Sequence, residues 1–166
     1  MTLDEVLAHW RSERARLTDI DNWVDAGKPP LPLALQPSLE CYARLKKPDA
    51  KKALKQKREE LAKDAFMRMF SAFEVSLRAT FSEWLRRKCG TTAASEAIDE
   101  QLPAIEGVLR LAAILEPRYS RSRAGHVGNV RDFRNSLAHG GFALPVPYDL
   151  EELHRELAEV IAVFSA

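Results

Sequence analysis

A stretch of 41 residues from Asp49 to Cys89 contains neither proline nor glycine, and it constrains the fold more than any other feature. Proline breaks helices and glycine weakens them, so an uninterrupted stretch of this length predicts one long helix. At 1.5 Å per residue this helix could reach about 60 Å. From Leu61 onward, apolar residues recur at helical spacing. Residues 51–63 are highly charged, and the sequence leaves open whether this part projects from the protein or breaks the helix.

The rest of the chain also reads as helices. Thr2 and Glu5 form a capping-box pattern at the start of a first helix, and Asp149 and Glu152 form a similar one before the last. The predicted helices cover about residues 3–23, 38–46, 49–89, 103–116, 129–139 and 150–164. Prolines at residues 29–37 indicate a connector, Gly90 a helix end and residues 118–125 a basic loop. Apart from a short piece at 142–146 no strand pattern is present, so the sequence predicts an all-α antiparallel helical bundle.

Length and composition narrow the class of protein. The 166 residues fit one domain, with residues 1–60 as a helical extension and 61–166 as the core bundle. The net charge of +1 excludes a bulk polycation, so any RNA contact must come from a local patch. Cys41 and Cys89 match no metal spacing and are interpreted as reduced thiols, with a lone disulfide as the less favoured alternative. The sequence shows no signal peptide or membrane-spanning segment, so the expected location is the cytoplasm. No metal or cofactor is expected.

One short motif stands out near the end of the chain. Arg134-Asn135-Ser-Leu-Ala-His139 places an arginine and a histidine five positions apart at the end of a predicted helix. A second pair at this spacing, Arg121 and His126, falls in the predicted basic loop and is interpreted as a chance match. The first pair precedes an amphipathic final helix, and Glu74 lies upstream on the long helix.

This combination resembles the HEPN superfamily of helical bundles with an Arg-x4-6-His motif. The resemblance covers roughly Leu61 to Ser165 and is closest to stand-alone prokaryotic members of toxin–antitoxin and phage-defence systems. It implies a homodimeric, metal-independent endoribonuclease, held in check by an antitoxin or defence-system partner. Some HEPN toxins carry His-x-Tyr, but Gly140 and Gly141 follow His139, so the tyrosine that a partner enzyme modifies is absent.

The residue types suit metal-free RNA cleavage. Histidine side chains commonly serve as general acids or bases, so His139 could take either proton-transfer role, while Arg134 offers a fork of donors to phosphate oxygens. Asn135 could orient the histidine or bind phosphate. Asn135 and His139 share one face of the helix, and Arg131 lies on the same face, where it could bind RNA. Arg134 and His139, by contrast, lie about 140° apart around the helix. A distorted last turn or a contact across a dimer would have to bring them together.

Each assignment has an alternative. Arg134 and His139 could be ordinary cations at a helix C-terminus. Glu74 could face the motif helix, lie at the solvent edge, or pair with a neighbour on its own helix. Basic side chains Arg118, Arg121 and Arg123 could form an RNA-backbone patch or a solvated loop. The whole chain could also be a non-catalytic HEPN module that binds nucleotide or RNA, or a partner subunit of a defence complex.

Overall fold

The computed structural model describes residues 1–29, 36–89, 105–116, 119, 121–139 and 148–165. Within these ranges the chain forms helices and turns, without a strand, which confirms the all-α class. The helices are α1 (Leu3–Asp25), α2 (Gln36–Ala43), α3 (Lys47–Cys89), α4 (Ile105–Leu115), α5 (Arg121–Ala138) and α6 (Leu150–Ser165). The predicted end at Gly90 and the short piece at 142–146 lie outside the described residues. None of the described helices has the length and apolarity needed to cross a membrane.

Helix α3 is continuous over 43 residues, or about 65 Å. The helix is unbroken through its charged first part. This part does not project into solvent without contacts, because Ala50 and Leu54 are fully buried. Pro48 lies in the first turn, where a missing backbone N–H does not interrupt the helix. The long helix is therefore the scaffold on which the other helices pack.

Two hydrophobic cores lie along α3. In the main core, the first half of α1 and helices α4, α5 and α6 pack against the second half of α3. The small core contains the second half of α1, Leu39 of α2, and Ala50 and Leu54 of α3. The end of α1 meets the start of α3, where Asp25 pairs with Lys47, and the start of α1 lies beside the middle of α3. The two helices therefore run antiparallel. Leu61 packs against both cores and marks the position where they meet.

Both predicted helix starts are capped, with a full capping box at α1 and a carboxylate cap at α6. The Thr2 hydroxyl accepts a hydrogen bond from the Glu5 backbone amide at 3.2 Å, and the Glu5 carboxylate accepts one from the Thr2 amide at 2.7 Å. At α6, the Asp149 carboxylate accepts from the amides of Glu151 and Glu152 at 2.8 and 3.0 Å. These amide donors hold the pKa of Asp149 below its usual value.

Helix α5 corrects the prediction of a basic loop at residues 118–125 followed by a helix that starts at residue 129. The helix begins at Arg121, so the segment predicted as a loop is helical from that residue onward. Gly125 and Gly128 each disfavour a helix by about 1 kcal/mol relative to alanine, and they produced the loop prediction. Burial of Val127 and Val130 in the main core offsets that cost.

Acidic residues of α1 face basic residues of α3 beside the small core. Lys51 Nζ lies 2.5 Å from Asp21 Oδ1 and 2.6 Å from Asp25 Oδ2, and Arg58 Nη2 lies 2.8 Å from Asp21 Oδ2. The hydrogen bond from Lys51, followed by that from Arg58, lowers the pKa of Asp21. This network fixes the second half of α1 on the charged part of α3.

Replacing Asp21 with asparagine should therefore lower the free energy of unfolding by about 1 kcal/mol at neutral pH. The folded-state pKa of Asp21 lies below the unfolded value, so its contribution is complete above the unfolded pKa. It is lost as the pH falls through the folded pKa, and wild type and variant should converge in acid. Urea unfolding across pH measures this. Asp19→Asn, at an exposed position on the same helix, is the control; equal losses for both variants would contradict the prediction.

Candidate functional site

The motif lies on the last two turns of α5, which the main core holds in place. Val130 and Leu137 are buried, and the Phe133 ring meets the buried Phe66 of α3 edge to face, with ring centroids 5.2 Å apart. The ring of Tyr148, just before α6, stacks on the same Phe66 ring, with centroids 5.5 Å apart. This aromatic contact between α3, α5 and the start of α6 sets the position of the neighbouring residue, Arg134.

Arg134 is directed toward the long helix. Its Nη2 lies 3.6 Å from Glu74 Oε2, and its Nη1 donates a 3.0 Å hydrogen bond to Asn135 Oδ1. The side chains of Arg134 and Glu74 are only 29% and 22% exposed. Buried Arg134 Nε finds no hydrogen-bond partner in the described part of the chain. Glu74 therefore faces the motif helix, which is one of the three positions considered for it.

His139 is the first residue after α5. Its backbone amide still donates to the Asn135 carbonyl at 3.1 Å, so it continues the helical path, and its side chain is exposed. Within the described ranges the imidazole makes no hydrogen bond or ion pair, and none joins it to Arg134. One chain thus presents Arg134 on the inner side of α5 and His139 at its open end, in line with the angular separation expected on an ideal helix.

The other predicted RNA contacts are spread along α5. Arg131 is 22% exposed, and its Nη2 lies 2.7 Å from Asp132 Oδ1. Arg121 and Arg123 belong to the first turn of α5, but their side chains lie outside the described residues, as does all of Arg118. The basic patch is therefore at least partly helical instead of a loop.

His126, which the sequence reading assigned to a loop, lies on α5. Its Nε2 lies 2.7 Å from Glu156 Oε2 of α6, although the contact lacks hydrogen-bond geometry. The ring also meets Tyr148 edge to face, with centroids 6.3 Å apart. Sequence reasoning missed this contact because the loop prediction removed the helical spacing that aligns His126 with the core positions of α5.

The remaining histidines and acids offer no metal centre within the described ranges. His154 Nε2 lies 2.8 Å from Asp4 Oδ1 and links α6 to α1, while His9 is exposed on α1. No group of three or more histidine, cysteine, aspartate or glutamate side chains is positioned to hold an ion in the part of the chain that is described. The candidate site is thus formed by Arg134, Asn135, His139 and Glu74.

Comparison of the chain with protein families, with curated proteins and with solved structures found no match.

Proposed function

We propose that the protein is a HEPN-type endoribonuclease that cleaves RNA without a metal and acts as a homodimer. The observation that carries this proposal is the position of the motif. Glu74 and Asn135 hold a half-buried Arg134, and an exposed His139 follows at the end of the same helix. The resemblance to prokaryotic HEPN toxins and antiphage effectors suggests a partner that restrains the activity.

The reaction needs three groups. A base takes the proton of the ribose 2′-hydroxyl, whose oxygen attacks phosphorus, and an acid protonates the departing 5′-oxygen. Imidazole serves either role near neutral pH, and the Arg134 guanidinium would neutralise charge on the pentacoordinate phosphate. The products carry a 2′,3′-cyclic phosphate and a 5′-hydroxyl. Glu74 would act as a positioning residue that directs the guanidinium.

A dimer supplies what one chain lacks. Each chain brings one His139, and the two proton transfers call for a base and an acid. A two-fold axis close to the ends of the two α5 helices would place two histidines and two arginines around one phosphate. The imidazole at the end of α5 is exposed and has no partner among the described residues, which supports this arrangement, because a second chain could reach it without rearranging those helices.

Incubating total RNA with the purified protein in excess EDTA tests the proposal. We expect cleavage to continue in EDTA and the products to resist 3′-ligation until the cyclic phosphate is opened and the resulting terminal phosphate is removed. A requirement for a divalent ion, or products with a 3′-hydroxyl, would exclude the mechanism. Sedimentation of the same sample reports whether the active form is a dimer.

The second candidate is a non-catalytic HEPN module that binds nucleotide or RNA, or serves as a subunit of a defence complex. The ion pair between Arg134 and Glu74 favours a non-catalytic role, because the carboxylate offsets the charge that the guanidinium would offer to a pentacoordinate phosphate. Such a module would bind nucleotide or RNA through other groups. This candidate predicts RNA binding without cleavage by a folded protein, whereas the ribonuclease predicts both.

A further inference from the structure

Positive charge is concentrated at one end of α3. Residues 44–58 contain eight lysines and arginines and a single acid, Asp49, although the whole chain has a net charge of only +1. The remainder of the protein is therefore net acidic. Separation of charge on this scale along a helix of about 65 Å creates a local field that the overall net charge hides.

One of the eight basic residues, Lys57, pairs with Glu60 on α3 itself, and the other seven divide into two groups. Lys47, Lys51 and Arg58 face the α1 acids described above and are paired with them. The second group is exposed and forms no ion pair within the described residues; it is called the basic end of α3 and consists of Arg44, Lys46, Lys52 and Lys55. The nearby acidic residues that reduce its positive charge are Asp49 and Glu59 on α3. The pairing with α1 thus leaves a cluster of cations free for an external anion.

The basic end of α3 is aligned with the candidate site. Lys52, Lys63 and Glu74 follow one another at intervals of eleven residues, which is three helical turns with a drift of only about 20°. The face of α3 that meets Arg134 therefore continues along the helix to Lys52, and Lys55 lies about 60° from Lys52 around the helix. At 1.5 Å per residue, Lys52 and Glu74 are about 33 Å apart along the helix.

We propose that the basic end of α3 binds the phosphate backbone of RNA. In this arrangement one RNA strand follows α3 from Lys52 and Lys55 toward the Arg134 site, and the substrate is an RNA long enough to span that distance. Cations without fixed partners suit a phosphate chain because contact releases counterions without breaking an internal ion pair. The choice of RNA as the polyanion rests on the proposed function.

The test compares two double variants, each in a His139→Ala background so that cleavage does not disturb the binding measurement. Lys52→Gln with Lys55→Gln removes two cations from the basic end, and Arg86→Gln with Arg155→Gln removes two exposed cations elsewhere. Fluorescence anisotropy with a labelled single-stranded RNA of roughly 20 nucleotides gives the affinity at several salt concentrations. We expect the first variant to bind about tenfold more weakly at low salt, with a salt slope lower by about 1.4. The control should stay within about twofold of its parent, because distant charges are screened.

The outcomes separate this proposal from the ribonuclease itself. Equal binding by both variants, or no RNA binding by the parent, overturns the basic end as an RNA surface even if the wild type cleaves. Binding that depends on Lys52 and Lys55 supports it even if the wild type never cleaves. Tighter binding to phosphatidylserine vesicles or to polyglutamate than to RNA, lost in the same variant, overturns RNA as the partner. Thermal unfolding of each variant checks that the fold is unchanged.

Discussion

Replacing His139 with alanine is expected to lower the rate of RNA cleavage by at least about 10²-fold, and by as much as about 10⁴-fold. The proposed mechanism uses the imidazole of one chain as base and that of its partner as acid, so the single substitution removes both proton-transfer groups of a dimer. The rate losses from removing two groups that act in the same reaction step are not independent, so the total loss is expected to be smaller than the product of two separate losses.

The structure indicates that this substitution tests catalysis separately from folding. The His139 side chain is exposed and makes no hydrogen bond or ion pair in the described ranges, so its removal should leave the melting temperature and dimerisation unchanged. His9→Ala, at an exposed position on α1, is the matched control and should cleave at the wild-type rate. Full activity of the His139 variant would exclude the histidine from catalysis. Loss of activity together with loss of the dimer would instead assign it to the interface.

Replacing Phe66 with alanine is expected to lower the free energy of unfolding by about 3–5 kcal/mol. The Phe66 ring is fully buried and contacts both Phe133 of α5 and Tyr148 before α6, so the cavity would open between three elements. A loss of this size is a large part of the roughly 5–15 kcal/mol that stabilises an ordinary domain. The motif helix would lose its main aromatic contact to α3.

Urea unfolding followed by circular dichroism measures the effect of this substitution. Val75→Ala is the control, because Val75 lies on the same helix but is 70% exposed. It should change the free energy of unfolding by less than about 0.5 kcal/mol. A loss below about 1 kcal/mol for Phe66→Ala would contradict the packing described for the main core.

Local patterns in the sequence predicted most of the helices. The absence of proline and glycine identified α3, and the capping residues Thr2 and Asp149 correctly marked two helix starts. The start of α5 was wrong because Gly125 and Gly128 suggest a loop locally, whereas the packing that overrides them comes from residues distant in the chain.

The candidate site was less accessible to sequence reasoning. The contact between Glu74 and Arg134 joins residues 60 positions apart, so it depends on how α5 crosses α3, and the sequence offered it only as one of three alternatives. The contact between His126 and Glu156 depends on the packing of α5 against α6 and was missed. Helical spacing did indicate that Arg134 and His139 leave α5 in different directions.

The division of the hydrophobic interior into two cores has a consequence for how the protein opens. Among the described residues the small core contains far less buried apolar surface than the main core, so less free energy opposes its separation. Amide protons in the second half of α1 and the first half of α3 should then exchange with solvent through a partial opening, while those near Phe66 wait for global unfolding. Since Leu61 is shared by both cores, it is where the two cooperative units would be uncoupled. The end of the molecule that carries the basic end of α3 would thus open locally while the motif helix stays folded.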